Sequence, residues 1–157
     1  MRLGLAIAGL VALADQLTKL WVLALFADRL GGPPVLTVTP FFNVVLTGNR
    51  GMSFGLFNTD AAANIVVFTV LAAAIVIALL VWLRRAASVE LRLGIGLVIG
   101  GAVGNVIDRL WRGAVVDFLD FHIGTWHWFA FNLADAAICL GVAALLLDGL
   151  LGRREMA

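Results

Sequence analysis

Residues 91–110 read LRLGIGLVIGGAVGNVIDRL, a twenty-residue stretch in which no charge falls between Arg92 and Asp108, while its last six positions hold Asn105, Asp108 and Arg109. About 20 predominantly apolar residues cross the hydrocarbon core of a bilayer. The stretch therefore reads as a membrane span with polar groups gathered near one end. Three further stretches, 3–26, 62–83 and 129–151, are apolar enough and long enough to do the same. The whole composition agrees: 62% of the 157 residues are hydrophobic, 13% are charged, and the mean hydropathy is +1.05. Soluble domains carry about a quarter charged residues. The fold class is thus an all-α membrane protein, a four-helix bundle forming one integral domain over 1–157.

The loops complete the layout. The first, 27–61, holds Gly31-Gly32-Pro33-Pro34, Pro40 and Gly48, with Val35 to Thr39 and Phe41 to Thr47 reading as short β-strands because they are β-branched and aromatic between breakers. The segment 111–128 is aromatic and reads as a loop. Six arginines, Arg2, Arg84, Arg85, Arg92, Arg153 and Arg154, flank one side of the spans, against Arg29, Arg50, Arg109 and Arg112 on the other. The positive-inside rule then puts both termini in the cytoplasm and the β element outside. Trp21, Trp111, Trp126 and Trp128 near the outer ends and Trp82 near the inner fit an interfacial belt. A cleavable leader ending at Ala12-Leu13-Ala14 is the competing reading of the N-terminus. The apolar pattern resumes at Leu17 and runs to Phe26, which favours an uncleaved first span.

Polar and ionisable groups inside spans are costly and mark function by default. Here they are Asp15 and Lys19 in the first span, Asn105, Asp108 and Arg109 in the third, and Asn132 and Asp135 in the fourth. At 1.5 Å per helical residue, Asp15 stands about 20 Å above Arg2, Asn105 to Arg109 roughly 20–25 Å above Arg92, and Asp135 about 27 Å above Arg153. The three spans thus place their polar groups in one layer, the outer third of a ~30 Å core. Within each span the spacings, i,i+3 or i,i+4, put the groups on one face. The second span, with only Asn64 and Thr69, reads as scaffold. Asp15–Lys19 also fits a self-neutralising pair, and Asp108–Arg109 reads as an interfacial pair. Asp120, His122 and His127 read as solvated surface, Asp148 as a structural partner of Arg153, and Cys139 as a packing residue.

Elimination narrows the chemistry. A net charge of +1 gives no basic footprint for nucleic acid. One cysteine excludes an intrachain disulfide and any multi-cysteine metal site. No H-E-x-x-H is present, Ser53 and Ser88 lack a base placed by any pattern, and Cys139 lies deeper than Asp135 and away from both histidines. What remains is a surplus of carboxylates: Asp15, Asp108, Asp117 and Asp135. Two carboxylates sharing a low-dielectric site cannot both ionise easily, so one acts as base and the other as acid. Composition alone leaves open which two.

Five ordered motifs resemble those of the bacterial lipoprotein signal peptidase (signal peptidase II) family. They are Asp15-Gln16-Leu17-Thr18-Lys19, Asn49-Arg50-Gly51-Met52-Ser53-Phe54-Gly55, Gly100 through Arg109, Val115-Val116-Asp117-Phe118, and Phe131-Asn132-Leu133-Ala134-Asp135. Together they cover all four spans and both outer segments. Met52-Ser53 departs from the two alanines common in the family, which bears on how the loop fits over substrate. The resemblance implies an intramembrane aspartyl endopeptidase with Asp117 and Asp135 as catalytic pair, and supporting roles for Asp15, Lys19, Asn49, Asn105, Arg109 and Asn132. It implies diacylglyceryl-modified prolipoproteins as substrates, cut just before the lipidated cysteine. In the loop 49–55, the Asn49 amide, Gly51 and Phe54 read as a clamp over the substrate. The expected setting is the bacterial cytoplasmic membrane, with lipid and lipidated prolipoprotein as partners, a monomeric enzyme, and no metal, cofactor or nucleic acid. A small proton-coupled transporter is the rival reading, since buried Asp and Lys also mark ion pathways. It would need polar groups continuing through the inner halves of the spans, which have almost none.

Overall fold

The computed structural model describes residues 1–27, 34–50 and 61–152. Among the described residues, four helices are long and apolar enough to cross a membrane. They are α1 (Arg2–Ala27), α2 (Ala61–Arg85), α3 (Val89–Arg112) and α4 (Leu133–Gly152). Between them lie β1 (Val35–Thr39), β2 (Phe42–Asn49), β3 (Val115–Ile123) and β4 (Trp126–His127). The helices follow the apolar runs to within a few residues; α4 starts at Leu133 rather than Phe129 because Phe131 is drawn into the sheet.

The axis of the bundle is α3, which packs on α1, α2 and α4. It buries 56% of its most apolar window, against 22% for α1, 17% for α4 and 6% for α2, so the other three present most of their surface to lipid. Glycine makes the axis possible. A Cβ at Gly100 would stand 2.7 Å from the Ala8 carbonyl oxygen, and one at Gly101 would collide with the Ala134 carbonyl. Small residues at such crossings let helix backbones approach closely where lipid removes any hydrophobic drive to associate. Ser88 caps α3, its Oγ accepting from Leu91 N at 3.1 Å and donating to Asp148 on α4 at 3.1 Å. At the other end, Gly113 at φ 73° stops α3 in the left-handed conformation glycine adopts freely.

The two outer segments form one antiparallel sheet in the order β1-β2-β3-β4. Reading 111–128 as a loop is therefore corrected. Val115 to Phe118 are all buried, which erases the in-out alternation a half-buried strand would show, and β3 pairs with β2 across more than sixty residues of chain, so no hairpin marks it. Val22 and Phe26 at the end of α1 pack beneath the sheet on Val44 and Phe118, while Ala8, Leu83, Ala86, Ile95 and Ile99 fill the opposite end of the bundle. Cys139 is exposed on the outer face of α4 rather than packed inside. Asp148 is structural, but through Ser88; Arg153 lies outside the described residues.

Candidate active site

Where the sheet meets the bundle, three helices and two strands bring polar side chains together. The i,i+4 spacing of Asp15 and Lys19 points both inward, and both are fully buried. Lys19 Nζ pairs with Asp15 at 2.8 Å and with Asp108 at 2.7 Å, and donates to Asn105 Oδ1 at 3.2 Å. Asp15 also accepts the Ala134 amide at 3.0 Å, which anchors α1 to the first turn of α4. Gly104 makes room for this: a Cβ there would lie 2.5 Å from Asp15 Oδ2. Gln16 donates to Asp15 and Asp108, both at 3.2 Å, and accepts from Arg112 at 3.0 Å, while Arg112 also pairs with Asp108. Two cations face two anions, and each carboxylate has several donors.

The other two carboxylates are held differently. Asp117, on β3 and 2% exposed, accepts Asn49 Nδ2 at 3.0 Å on one oxygen and Asn132 Nδ2 at 2.7 Å on the other. Asp135, in the first turn of α4 and half-buried, accepts Asn105 Nδ2 at 2.8 Å and the Asn132 amide at 3.3 Å. Asn132 Oδ1 takes the Asp135 amide at 2.9 Å in return, a reciprocal helix cap in which the motif Asn-x-x-Asp stops one chain end and places one carboxylate. Asn132 Nδ2 also reaches Asn105 Oδ1 at 3.2 Å. The two carboxylates are thus linked through neutral carboxamides, which donate without cancelling charge. Burial, with the negative charge of Asp135 adding to it, pushes the Asp117 carboxyl up to about 6, against the opposing hydrogen bonds from Asn49 and Asn132 and the charge of Lys19.

Asp15, Lys19, Asn49, Asn105, Arg109, Asp117, Asn132 and Asp135 therefore gather in one place. Gly51 and Phe54 lie outside the described residues. Arg109 stands at the rim, with Nη1 3.3 Å from the Asn105 carbonyl, its guanidinium 5.5 Å above the Phe68 ring, and the charges of Asp135, Asp117 and Asp108 acting on it. Phe68 gives α2 a part in the site beyond scaffold.

Two expectations are corrected and one residue is added. Asp108 pairs with Lys19 and Arg112 rather than Arg109, and is fully buried rather than interfacial; its i,i+4 relation to Arg112 was the available signal. Gln16 was missed because a single amide beside an aspartate has no periodic signature. Asp120 is buried, not solvated: it accepts Asn43 Nδ2 at 2.9 Å across β2–β3 and His127 Nδ1 at 2.9 Å. Burial pushes its carboxyl up, but the bonds from Asn43 and His127 outweigh it and hold it below the usual carboxylate range.

The sequence model described as signal peptidase (SPase) II matches residues 7–151. The chain is 43% identical over 155 residues to a lipoprotein signal peptidase of Nitrobacter hamburgensis, covering 96% of this chain and 93% of that one. It is 46% identical over 157 residues to one of Rhodopseudomonas palustris (97% and 94%) and 47% over 147 residues to one of Burkholderia mallei (93% and 86%). Among solved structures, it matches a bacterial membrane enzyme determined by the in meso method at 2.3 Å resolution, with TM-score 0.81, 28% identity, and coverage of 98% and 91%.

Proposed function

The chain belongs to the signal peptidase II family, and from that premise we propose that Asp117 and Asp135 are its catalytic pair. The protein is a multi-pass bacterial membrane protease that removes signal peptides from prolipoproteins. The single observation behind the assignment is that these two carboxylates, from different elements, share the Asn132–Asn105 bridge while no lysine or arginine pairs with either among the described residues.

The proposed chemistry uses one proton already on the enzyme. Asp117, with its raised affinity for a proton, takes the part of the acid; Asp135 takes the part of the base. Asp135 takes a proton from water as the oxygen attacks the peptide carbonyl, and Asp117 gives its proton to the carbonyl oxygen. The gem-diol then collapses: Asp135 passes its proton to the leaving amine, the C–N bond breaks, and a hydroxyl proton returns to Asp117. Arg109 and Asn49 are assigned to substrate carbonyls in this reading, and Gly51 and Phe54, which lie outside the described residues, to a clamp over the substrate. The substrate is a diacylglyceryl-modified prolipoprotein cut before its lipidated cysteine. Arg2, Arg84, Arg85 and Arg92 at the end opposite the sheet support cytoplasmic termini and a site near the outer face. A single integral domain working as a monomer completes the proposal. A proton-coupled carrier finds no support: the end of the bundle away from the sheet is closed by Ala8, Leu83, Ile95 and Ile99.

The test is incubation of purified Asp117→Asn and Asp135→Asn proteins with a diacylglyceryl-modified prolipoprotein. Release of signal peptide by either at a substantial fraction of the wild-type rate would remove the pair from the mechanism.

A further inference from the structure

We propose that Asp108 is a positioning residue for Asp117, acting through the backbone amide of Val116. The inference rests on the reading of Asp117 as half of the catalytic pair.

Asp108 is fully buried and its two oxygens accept four donors. Oδ1 takes Gln16 Nε2 at 3.2 Å and Arg112 Nη1; Oδ2 takes Lys19 Nζ at 2.7 Å and the Val116 amide at 3.1 Å. Three of these donors are side chains of the ion cluster. The fourth belongs to β3, one residue before Asp117. A carboxylate whose task is only to neutralise Lys19 and Arg112 has no need of it.

The strand needs it. On one edge β3 pairs with β2, with Gly48 opposite Val116 and Thr47 opposite Asp117. Its other edge meets β4 only at His122 and Ile123. Just after Asp117, the Phe131 carbonyl takes the amides of Phe118 at 3.0 Å and Leu119 at 2.8 Å. Just before it, Asp108 takes the amide of Val116. Asp117 is therefore held from both sides along that edge. Phe131 adjoins Asn132, so one tie registers β3 to the α4 cap; the Asp108 tie registers it to α3 and, through Lys19, to α1. The β2 strand is irregular between Val44 and Thr47, beside Asp117, so β2 pairing alone fixes this point weakly. Displacement of a catalytic group by about 1 Å can cost on the order of 100-fold in rate.

The direct experiment replaces Val116 by its α-hydroxy acid, turning one amide into an ester. This removes the N–H and leaves every side chain in place. Expected are a fall in kcat of roughly tenfold to 100-fold, a KM for lipidated prolipoprotein within about twofold of wild type, and a displaced pH–rate inflection, because Asp117 moves relative to Asn49 and Asn132. A purely structural bond would lower the amount of folded enzyme without moving the inflection. Wild-type kcat and inflection in the ester protein would overturn the proposal. Asp108→Asn and Asp108→Ala, compared at equal amounts of folded enzyme, give a second reading: the asparagine keeps one oxygen for the Val116 amide and should retain several-fold more turnover, whereas equal turnover overturns the proposal. Asp117→Asn runs alongside. If it is inactive while the ester protein is normal, only the positioning role falls; if it cleaves substrate, the dyad reading falls and takes this one with it.

Discussion

Two groups of acids stand side by side at the top of this bundle and are treated in opposite ways. Asp15 and Asp108 face Lys19 and Arg112 at salt-bridge distance and are saturated with donors. Asp117 and Asp135 are held by Asn49, Asn105 and Asn132, which donate hydrogen bonds but add no charge. The first arrangement satisfies charges in a low-dielectric interior and fixes α1, α3 and β3 to one another. The second holds two carboxylates near one another with no direct ion pair to either among the described residues, so their charge is met by amide donors and by the more distant Lys19 and Arg109. A polar residue in a membrane span is functional by default; what separates the two groups here is whether the partner is a cation or an amide.

The largest expected effect comes from removing the proton the pair shares. Asp117→Asn and Asp135→Asn should each lower turnover roughly 10²–10⁴-fold, the range general acid–base catalysis supplies. The double variant should be little worse than either single one, because the two act as a unit. Folded protein in the membrane should remain abundant in all three. Comparable losses of activity and of folded protein would erase the distinction between the two groups of acids.

Lys19→Met should do the reverse and act first on folding. It leaves Asp15 and Asp108 without their common cation, and breaking a buried pair from one side costs about 3–5 kcal/mol. The unfolding midpoint in detergent should drop sharply. The double variant Lys19→Met with Asp15→Asn should recover part of the loss, because one of the stranded charges goes with its partner. A Lys19→Met protein as stable as wild type would mean that the cluster is not what holds α1 to α3.

A pH dependence of stability should come from Asp117. Burial, with the charge of Asp135, pushes the folded Asp117 carboxyl up to about 6 from its ordinary value of 3.8. Between about pH 4 and 6 the folded state therefore holds more protons than the unfolded state. Its stabilising contribution is fully present below about pH 4 and is lost as the pH rises through about 6, by about 3 kcal/mol in all. Asp117→Asn should flatten that slope. A pH profile of unfolding unchanged by this substitution would mean that Asp117 is not the group titrating there. Turnover should fall over the same rise in pH, since the mechanism requires Asp117 protonated.

The spans and the depth of the polar layer were legible because helical periodicity and the 1.5 Å rise act locally along the chain. Strand β3 was not, because four successive buried positions erase the alternation and its partner lies in a distant segment. The site divided in the same way. Asp15 with Lys19, and Asn132 with Asp135, are same-face neighbours on single helices and could be read from spacing. Asp117 has no periodic signal and was selected by resemblance alone. The role of Asp108 depends on a strand amide that no helical spacing reveals, and Asp120 was taken for surface because the partners that bury it, Asn43 and His127, are brought to it by sheet pairing and the β3–β4 turn.

The smallest contrast is between two arginines three residues apart. From helical spacing alone, Arg109 belongs to the polar stripe and Arg112 reaches outward to headgroups; the structure keeps the first assignment and changes the second. Arg112 is only 17% exposed and bonds Asp108 and Gln16, so it belongs to the cation-satisfied group. Arg109 lies on the Phe68 ring at the rim, with Asp135 and Asp117 in its field, so it belongs with the amide-held group. Arg112→Ala still leaves Asp108 with Lys19, Gln16 and the Val116 amide, and should lower stability by about 1 kcal/mol with a minor loss of turnover. Arg109→Ala should lower turnover roughly tenfold and change stability little, because it removes a cation poised over charge that develops during the reaction. Arg109→Lys should restore only part of that, since lysine lacks the planar fork that stacks on Phe68. Measuring kcat and the unfolding midpoint for the three proteins settles the placement. If Arg112→Ala lost more turnover than Arg109→Ala, the boundary between the two groups would have to be redrawn through Asp108.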